Sequence, residues 1–94
     1  MVALTAPRLG GSRNQARKLL SELPTDLSAA VVRLDCSAVA VSTPSFASEV
    51  VEVVLVERRG MRLELVNASS EFAEVAAEAA MISGVIDSLA ILSE

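Results

Sequence analysis

The chain has 94 residues, of which 52% are hydrophobic, and its formal charge is -4 with a pI near 4.7. This composition fits one compact domain over residues 1–94, and the acidic balance disfavours nucleic acid, whose phosphates are neutralised by Lys and Arg. The sequence contains no histidine, which excludes a Ser-His-Asp triad, a histidine general base and a mixed Cys/His zinc site. We therefore expect no enzymatic activity, no cofactor and no metal site.

No apolar run approaches the roughly 18 residues of a membrane span, and the first residues lack the charged and then apolar pattern of a signal peptide. We expect a cytoplasmic protein without membrane contact. The single cysteine, Cys36, lies in an apolar stretch and is predicted to be a buried small hydrophobic residue.

The first third of the chain predicts a strand, a helix and a second strand. Residues 1–5 are short and apolar enough for a strand. Ser12 followed by Gln15 has the form of a capping box, and the apolar spacing that follows predicts a helix that stops before Pro24. The outer face of this helix carries Arg13, Arg17 and Lys18. Residues 30–36 are rich in Val and Leu and predict a central strand that is buried on both faces.

The segment 49–57 is ambiguous, because its many valines fit an alternating strand nearly as well as a helix. The flanking residues favour a helix: Thr43 suits the N-cap, Pro44 suits the first helical position and Gly60 suits the C-terminal stop. Two basic residues near the negative end of this helix are predicted to be stabilising surface charges: Arg58 and Arg59.

The last third predicts a strand over residues 61–66, with Met61 pointing inward, and then a helix capped by Ser69 or Ser70 and ended by Gly84. The apolar face of that helix is predicted to include Phe72, Val75, Ala76, Ala79 and Ile82. Glutamates at helical spacing are predicted to lie on solvated helix faces: Glu49, Glu52, Glu71, Glu74 and Glu78. The pattern of residues 85–92 fits a short helical turn or an edge strand equally well.

The alternation of strands and helices predicts an α/β fold with a mostly parallel central sheet of about four strands and three or four helices. The turn between the second strand and the second helix is the place where such folds position a ligand or a switch.

This turn also carries a resemblance. Residues 42–49 read S-T-P-S-F-A-S-E, which resembles the S-P-S-F-A-D-E signature of the STAS-like domains of unknown function. Gly11-Ser12-Arg13 with Ala16 is similar to the G-x-R-x-x-A helix start of the same group. These domains belong to the STAS superfamily, the fold of anti-sigma-factor antagonists, and the resemblance covers most of the chain. Thr43 interrupts the signature, and Ser48 replaces its acidic residue.

The resemblance implies a non-enzymatic protein-interaction module in signalling and transcription regulation. Its partner would be a regulatory kinase, an anti-sigma factor or another signalling protein. The residues implied in docking are Ser42, Thr43, Ser45, Ser48 and Glu49.

A phosphorylation switch is a second implication of the resemblance. In anti-sigma-factor antagonists, a serine within D-S-[ST]-G-L-G is phosphorylated by the partner kinase, and the added charge changes docking. The equivalent position falls on Pro44 or on Thr43, depending on the register, and neither residue has the flanking Asp or Gly. Phosphorylation of Ser42, Thr43 or Ser45 is therefore secondary to helix capping and docking.

Two alternatives remain open at this point. The loop Gly10-Gly11-Ser12-Arg13 precedes a helix and carries an arginine, so it could bind a small anion or a nucleotide. The Val-rich second helix and the apolar tail could instead bury their excess hydrophobic surface in a homodimer.

Overall fold

A four-stranded parallel sheet carries the fold in the computed structural model, which describes residues 1–93. Its strands, in spatial order, are β1 (Val2–Thr5), β3 (Val31–Asp35), β5 (Arg62–Val66) and β6 (Leu89–Leu92). A separate pair of two-residue strands is formed by β2 (Leu9–Gly10) and β4 (Val41–Ser42). The helices are α1 (Arg13–Leu20), α2 (Pro44–Val51) and α3 (Ser70–Ile82). The predicted α/β fold with a parallel sheet of about four strands is confirmed.

The three helices form one layer on one face of the sheet. Neighbouring strands are joined in sequence by α1, α2 and α3, and right-handed crossovers that advance in one direction leave all helices on the same side. The helix α2 contacts both α1 and α3. Beneath this layer, the sheet contributes four fully buried side chains: Val32, Leu34, Leu63 and Leu65.

The second face of the sheet is less covered than the sequence predicted. The strand β3 is central, as expected, but only Val32 and Leu34 are buried, whereas Val31, Arg33 and Asp35 are half-buried. The prediction of burial on both faces is therefore wrong, because all three helices lie on one side. On the other side, Glu64 of β5 accepts from Arg33 Nε and Arg62 Nε, each at 3.0 Å. The hydrogen bond from Arg33 lowers the pKa of Glu64 below its ordinary value.

The predicted capping box at the start of α1 is confirmed, with a small shift. Ser12 Oγ accepts from Gln15 N at 3.2 Å, and the Gln15 side chain accepts from Gly11 N at 2.5 Å, one residue before the cap. At the other end, Arg58 Nη1 donates to Leu20 O at 2.9 Å and to Leu23 O at 2.6 Å. Arg58 therefore stabilises the end of α1, and its predicted role as a surface charge on its own helix is wrong.

The ambiguous segment is helical, but part of it is a π-helix. Thr43 caps α2 by accepting from Phe46 N at 3.2 Å, and Pro44 occupies the first position, as predicted. From Glu52 to Glu57 the hydrogen bonds widen, and Arg58 N donates to Val53 O at 3.0 Å. We call these residues the π segment. The middle position of α2 between two helices explains why almost all apolar side chains of this stretch are buried: Val50, Val51, Val53, Val54 and Leu55.

The end of the π segment differs from the predicted glycine stop. Arg59, and not Gly60, takes the left-handed conformation, with φ of 55°. Gly60 N–H donates to Val54 O at 2.7 Å, and a Cβ at Gly60 would lie only 2.7 Å from that oxygen. Glycine is therefore required at this position for close backbone approach.

Two other predicted apolar positions are exposed. Ser69 caps α3 by accepting from Phe72 N at 3.1 Å, and Gly84 follows the helix with φ of 74°, as predicted. Ile82, however, is 79% exposed at the end of α3, and Met61 is 53% exposed just before β5. Both residues lie at element ends, beyond the area where the helix layer covers the sheet. The tail combines both predicted alternatives, since a 3₁₀ turn at Ile86–Ser88 leads into the edge strand β6.

The thiol of Cys36 is buried directly after β3, as predicted, with 3% exposure. Burial raises the pKa of Cys36 to about 11. We expect native protein at pH 8 to react with a thiol-specific chromogenic disulfide far more slowly than urea-unfolded protein, because a thiolate is required for reaction. Equal rates for native and unfolded protein, followed by absorbance, would contradict this burial.

Candidate functional site

The candidate site is the junction between β3 and α2, defined here as residues 42–49 and called the junction. It lies at the carboxyl ends of the parallel strands, where the first turns of α2 and α3 stand side by side. The pairing of β4 with β2 holds the start of the junction, and Thr43 N donates to Gly10 O at 2.8 Å. This end of a parallel sheet is the usual position of binding sites in α/β folds.

A groove runs between the starts of the two helices. Its outer part is a cavity of about 360 Å³ lined by Val39, Ala40, Val41, Ser42, Ser69, Ser70 and Glu71. A smaller cavity of about 70 Å³ continues it between α2 and α3, lined by Ser42, Thr43, Pro44, Ala47, Glu71, Phe72 and Val75. The groove therefore joins serine and threonine hydroxyls from two helix starts with apolar side chains.

The four predicted hydroxyl residues of the junction differ in accessibility. Thr43 is half-buried, and its Oγ1 accepts from the Phe46 N–H, so its hydroxyl has a structural role. Ser42 and Ser48 are also half-buried, whereas Ser45 is exposed at the second position of α2. Ser45 is therefore the most accessible of the four to a partner or a modifying enzyme.

One carboxylate faces the groove. Glu71 lies in the first turn of α3 and lines both cavities. A phosphate on Ser42 or Thr43 would face this carboxylate across the groove, and like charges at such a site repel each other. The helix N-termini attract the same phosphate, so its addition would redistribute charge at the mouth of the groove.

Glu49 does not lie on the surface. Its side chain is 1% exposed, and Arg13 Nη1 binds Oε1 at 2.6 Å while Arg17 Nε stands 2.5 Å from Oε2. The contact with Oε2 is an ion pair without the geometry of a hydrogen bond. The prediction of a solvated face is wrong for Glu49, because α1 packs on α2 at this point. The buried carboxylate is thus a link between the two helices.

The other predicted glutamates follow the surface more closely. Glu52 is half-buried and stands 3.6 Å from Arg13. Arg17 also donates to Glu57 at 2.6 Å, and this hydrogen bond raises the pKa of the Arg17 guanidinium. The three glutamates of α3 are exposed, as predicted: Glu71, Glu74 and Glu78.

The groups of the Gly10 to Arg13 loop are largely engaged within the chain. Gly10 is buried, and a Cβ there would lie 2.9 Å from the Phe46 ring. Gly11 N–H is taken by the Gln15 side chain, and the Arg13 guanidinium lies on Glu49. Ser12 caps α1. An incoming anion would have to compete with these contacts. Within residues 1–93 no group of three or more acidic, cysteine or histidine side chains is placed to hold a metal ion.

Comparison with known proteins identifies no relative. No protein-family model, no curated protein and no solved structure matches the chain. In the described residues, no helix is both long and apolar enough to cross a membrane. The function must therefore be argued from the fold and from the chain's own residues.

Sequence reasoning missed the Arg13, Arg17 and Glu49 cluster, although the sequence contains a signal for it. Glu49 follows Phe46 by three residues and precedes Val53 by four, so it shares a helix face with two apolar side chains. Arg13 and Arg17 are four residues apart and present two guanidinium groups on one side of α1. A glutamate on an apolar face and an arginine pair on a neighbouring helix together indicate a buried ion pair.

Proposed function

We propose that this chain is a non-enzymatic regulatory domain of the STAS-like type that binds a signalling protein through the exposed first turn of α2. The observation that carries this proposal is the exposure of Pro44 and Ser45 beside the groove at the carboxyl end of the sheet. A partner that covers this turn would also cover the groove and its hydroxyl groups. By its resemblance, that partner is a regulatory kinase, an anti-sigma factor or another cytoplasmic signalling protein.

The chemistry of the groove supports binding over catalysis. Its side chains are hydroxyls, aliphatic groups, an aromatic ring and one carboxylate, Glu71. The sequence has no histidine to act as a general base near neutral pH, and Thr43 uses its hydroxyl as a helix cap. Such a surface is suited to a partner's side chains and backbone amides.

Charge at Ser45 provides a means of regulation. A phosphate at Ser45 adds close to two negative charges at the centre of the docking surface, on the α2 side of a groove that already contains Glu71. A partner that presents apolar or acidic groups to this turn would be released by repulsion and desolvation. Modification would thus weaken binding without unfolding the domain.

We expect Ser45→Asp to lower recovery of a partner in affinity capture at least about tenfold, which corresponds to about 1.4 kcal/mol of binding free energy. Tagged wild-type protein and Ser45→Ala should both recover the partner, identified by mass spectrometry that also measures phosphorylation at Ser42, Thr43 and Ser45. Asn14→Asp is a matched control, because Asn14 is the exposed second residue of α1 just as Ser45 is the second residue of α2.

Asn14→Asp should recover the partner as the wild type does. The proposal fails if wild-type protein captures no specific partner, or if Ser45→Asp and Asn14→Asp reduce its recovery equally. Circular dichroism and melting of each variant would show that a loss of capture does not come from unfolding.

A further inference from the structure

The four-stranded sheet has two open edges, β1 and β6, and neither carries a charged side chain. The edge sequences are V-A-L-T and L-A-I-L. Leu92 O accepts from Asn67 N on the β5 side, so the alternation of the strand directs the N–H and C=O of Ile91 outward. Ala6 N donates to Asp35 O in the same way, which directs the backbone groups of Thr5 outward from β1. Uncharged edges with outward backbone groups are templates for a further strand.

The surfaces beside the two edges have complementary shapes. At the β1 edge, a cavity of about 260 Å³ is lined by Thr5, Pro7, Gln15, Lys18 and Leu19. We call it the α1 socket. Gln15 and Leu19 lie on the side of α1 opposite to Arg13 and Arg17, which face α2. The socket therefore opens away from the body of the helix layer, toward whatever continues the sheet.

Apolar side chains project at the β6 edge. Ile91 is 47% exposed and Met81 is 67% exposed. Val75 lines the cavity on the α2 side of α3, so the opposite side of the helix, which faces the β6 edge, presents small residues followed by a methionine. These are Ala73, Ala77 and Met81. Small flanking residues allow another helix to approach closely, and the isoleucine and methionine are of a size to enter an apolar socket.

The charges beside the two edges have opposite signs. The helix α1 contains Arg13, Arg17 and Lys18 and no acidic residue, whereas α3 contains Glu71, Glu74 and Glu78 and no basic residue. Two of the α1 arginines bind α2, which leaves Lys18 at the socket. No Lys or Arg follows Arg62 in the sequence. Two β6 edges would bring two acidic helices together, whereas a β6 edge against a β1 edge brings α3 beside α1.

We propose that copies of this chain associate head to tail, with the β6 edge and α3 of one copy against the β1 edge and the α1 socket of the next. The β6 strand extends the neighbour's sheet in parallel, and the helix layer continues on the same face. The two surfaces are different, so the contact is heterologous and each copy keeps one free edge for a further copy. This proposal is independent of the docking function of the junction.

The size of the contact indicates a weak association. The molecule measures 31 × 25 × 24 Å, so a lateral face offers about 600 Å² per copy, below the roughly 800 Å² per partner of a standard interface. We therefore expect assembly that depends on protein concentration, detectable from about 10 μM to about 1 mM by sedimentation. The weight-average mass of the full chain should rise beyond that of a dimer over this range.

Two edge variants test the arrangement of the copies. Ile91→Lys places a charge on the β6 edge, and Thr5→Arg fills the α1 socket; both residues are exposed, so the fold should be retained. Each variant alone should sediment as a monomer. A 1:1 mixture should form heterodimers and stop there, because only one intact pair of edges remains. Val56→Lys is the control, since Val56 is an exposed apolar residue of the π segment, between α1 and α3, and should assemble as the wild type does.

The proposal is overturned if wild-type protein is monomeric over the whole range. It is also overturned if Thr5→Arg assembles as the wild type does while Ile91→Lys does not, since that result indicates pairing of two β6 edges. A mixture of the two variants that remains monomeric would equally contradict it, provided circular dichroism shows both variants folded.

Discussion

Replacing Arg13 and Arg17 together by alanine should lower the free energy of unfolding by about 3–5 kcal/mol, as expected when a buried ion pair loses its cationic partners. The double change leaves the Glu49 carboxylate in a site where it is 1% exposed, with no positive group to replace lost hydration. The contact between Arg17 and Glu57 is lost as well, but it is an exposed pair and contributes at most about 1 kcal/mol. Urea unfolding measures the effect.

Changing the other side of the ion pair should cost less. Glu49→Gln leaves two guanidinium groups that are 54% and 53% exposed and can be hydrated, so we expect a loss of about 1–2 kcal/mol. A triple variant with Arg13→Ala, Arg17→Ala and Glu49→Leu should recover at least half of the double variant's loss, because no buried charge remains. Lys18→Ala, a change at an exposed residue of the same helix, should stay within about 0.5 kcal/mol of the wild type.

The order of these effects is the test of the buried charge. If the arginine double variant loses no more stability than Glu49→Gln, the carboxylate is hydrated in solution and the two helices are not linked through it. If the triple variant is no more stable than the double variant, the loss comes from the arginine side chains and their packing.

Phe46→Ala should also cost about 3–5 kcal/mol, the range for removal of a fully buried aromatic ring. The ring packs edge to face on Phe72, with centroids 6.1 Å apart, and it covers Gly10 at the pairing of β2 with β4. Its loss should therefore loosen the start of the junction as well as the core. Phe46→Leu retains most of the volume and should cost less than half as much by urea unfolding.

A double-mutant cycle locates this contact. Gly10→Ala introduces a Cβ 2.9 Å from the Phe46 ring, so we expect it to cost about 1–3 kcal/mol in the wild type and clearly less beside Phe46→Ala. Additive effects of the two substitutions would contradict the close approach of Gly10 and the ring. A Phe46→Ala cost below about 1 kcal/mol would contradict the burial itself.

The elements that sequence reasoning predicted well are those controlled by neighbouring residues in the chain. Ser12, Thr43 and Ser69 accept bonds from N–H groups only three residues away, so their caps can be recognised locally. The strand β5 and the left-handed Gly84 were predicted from similar local patterns. The parallel sheet followed from the alternation of these elements.

The features that were missed depend on residues distant in sequence. Arg58 binds carbonyls 35 and 38 residues earlier, and Glu49 binds Arg13, 36 residues earlier. The exposure of Ile82 depends on where the helix layer ends over the sheet. The position of all three helices on one face depends on the strand order, which a one-dimensional pattern does not contain. For the candidate site, the sequence located the turn but not which hydroxyl is exposed.

The π segment acts as a phase adjustment between two helices. An ordinary α-helical turn advances 100° per residue, so removing one residue from Glu52–Glu57 would let the helix close with α-type hydrogen bonds but would turn everything after it by about that angle. Arg58 would then point away from the last carbonyls of α1, which it now binds. Chains with this architecture are expected to tolerate substitutions in the segment far better than a change in its length.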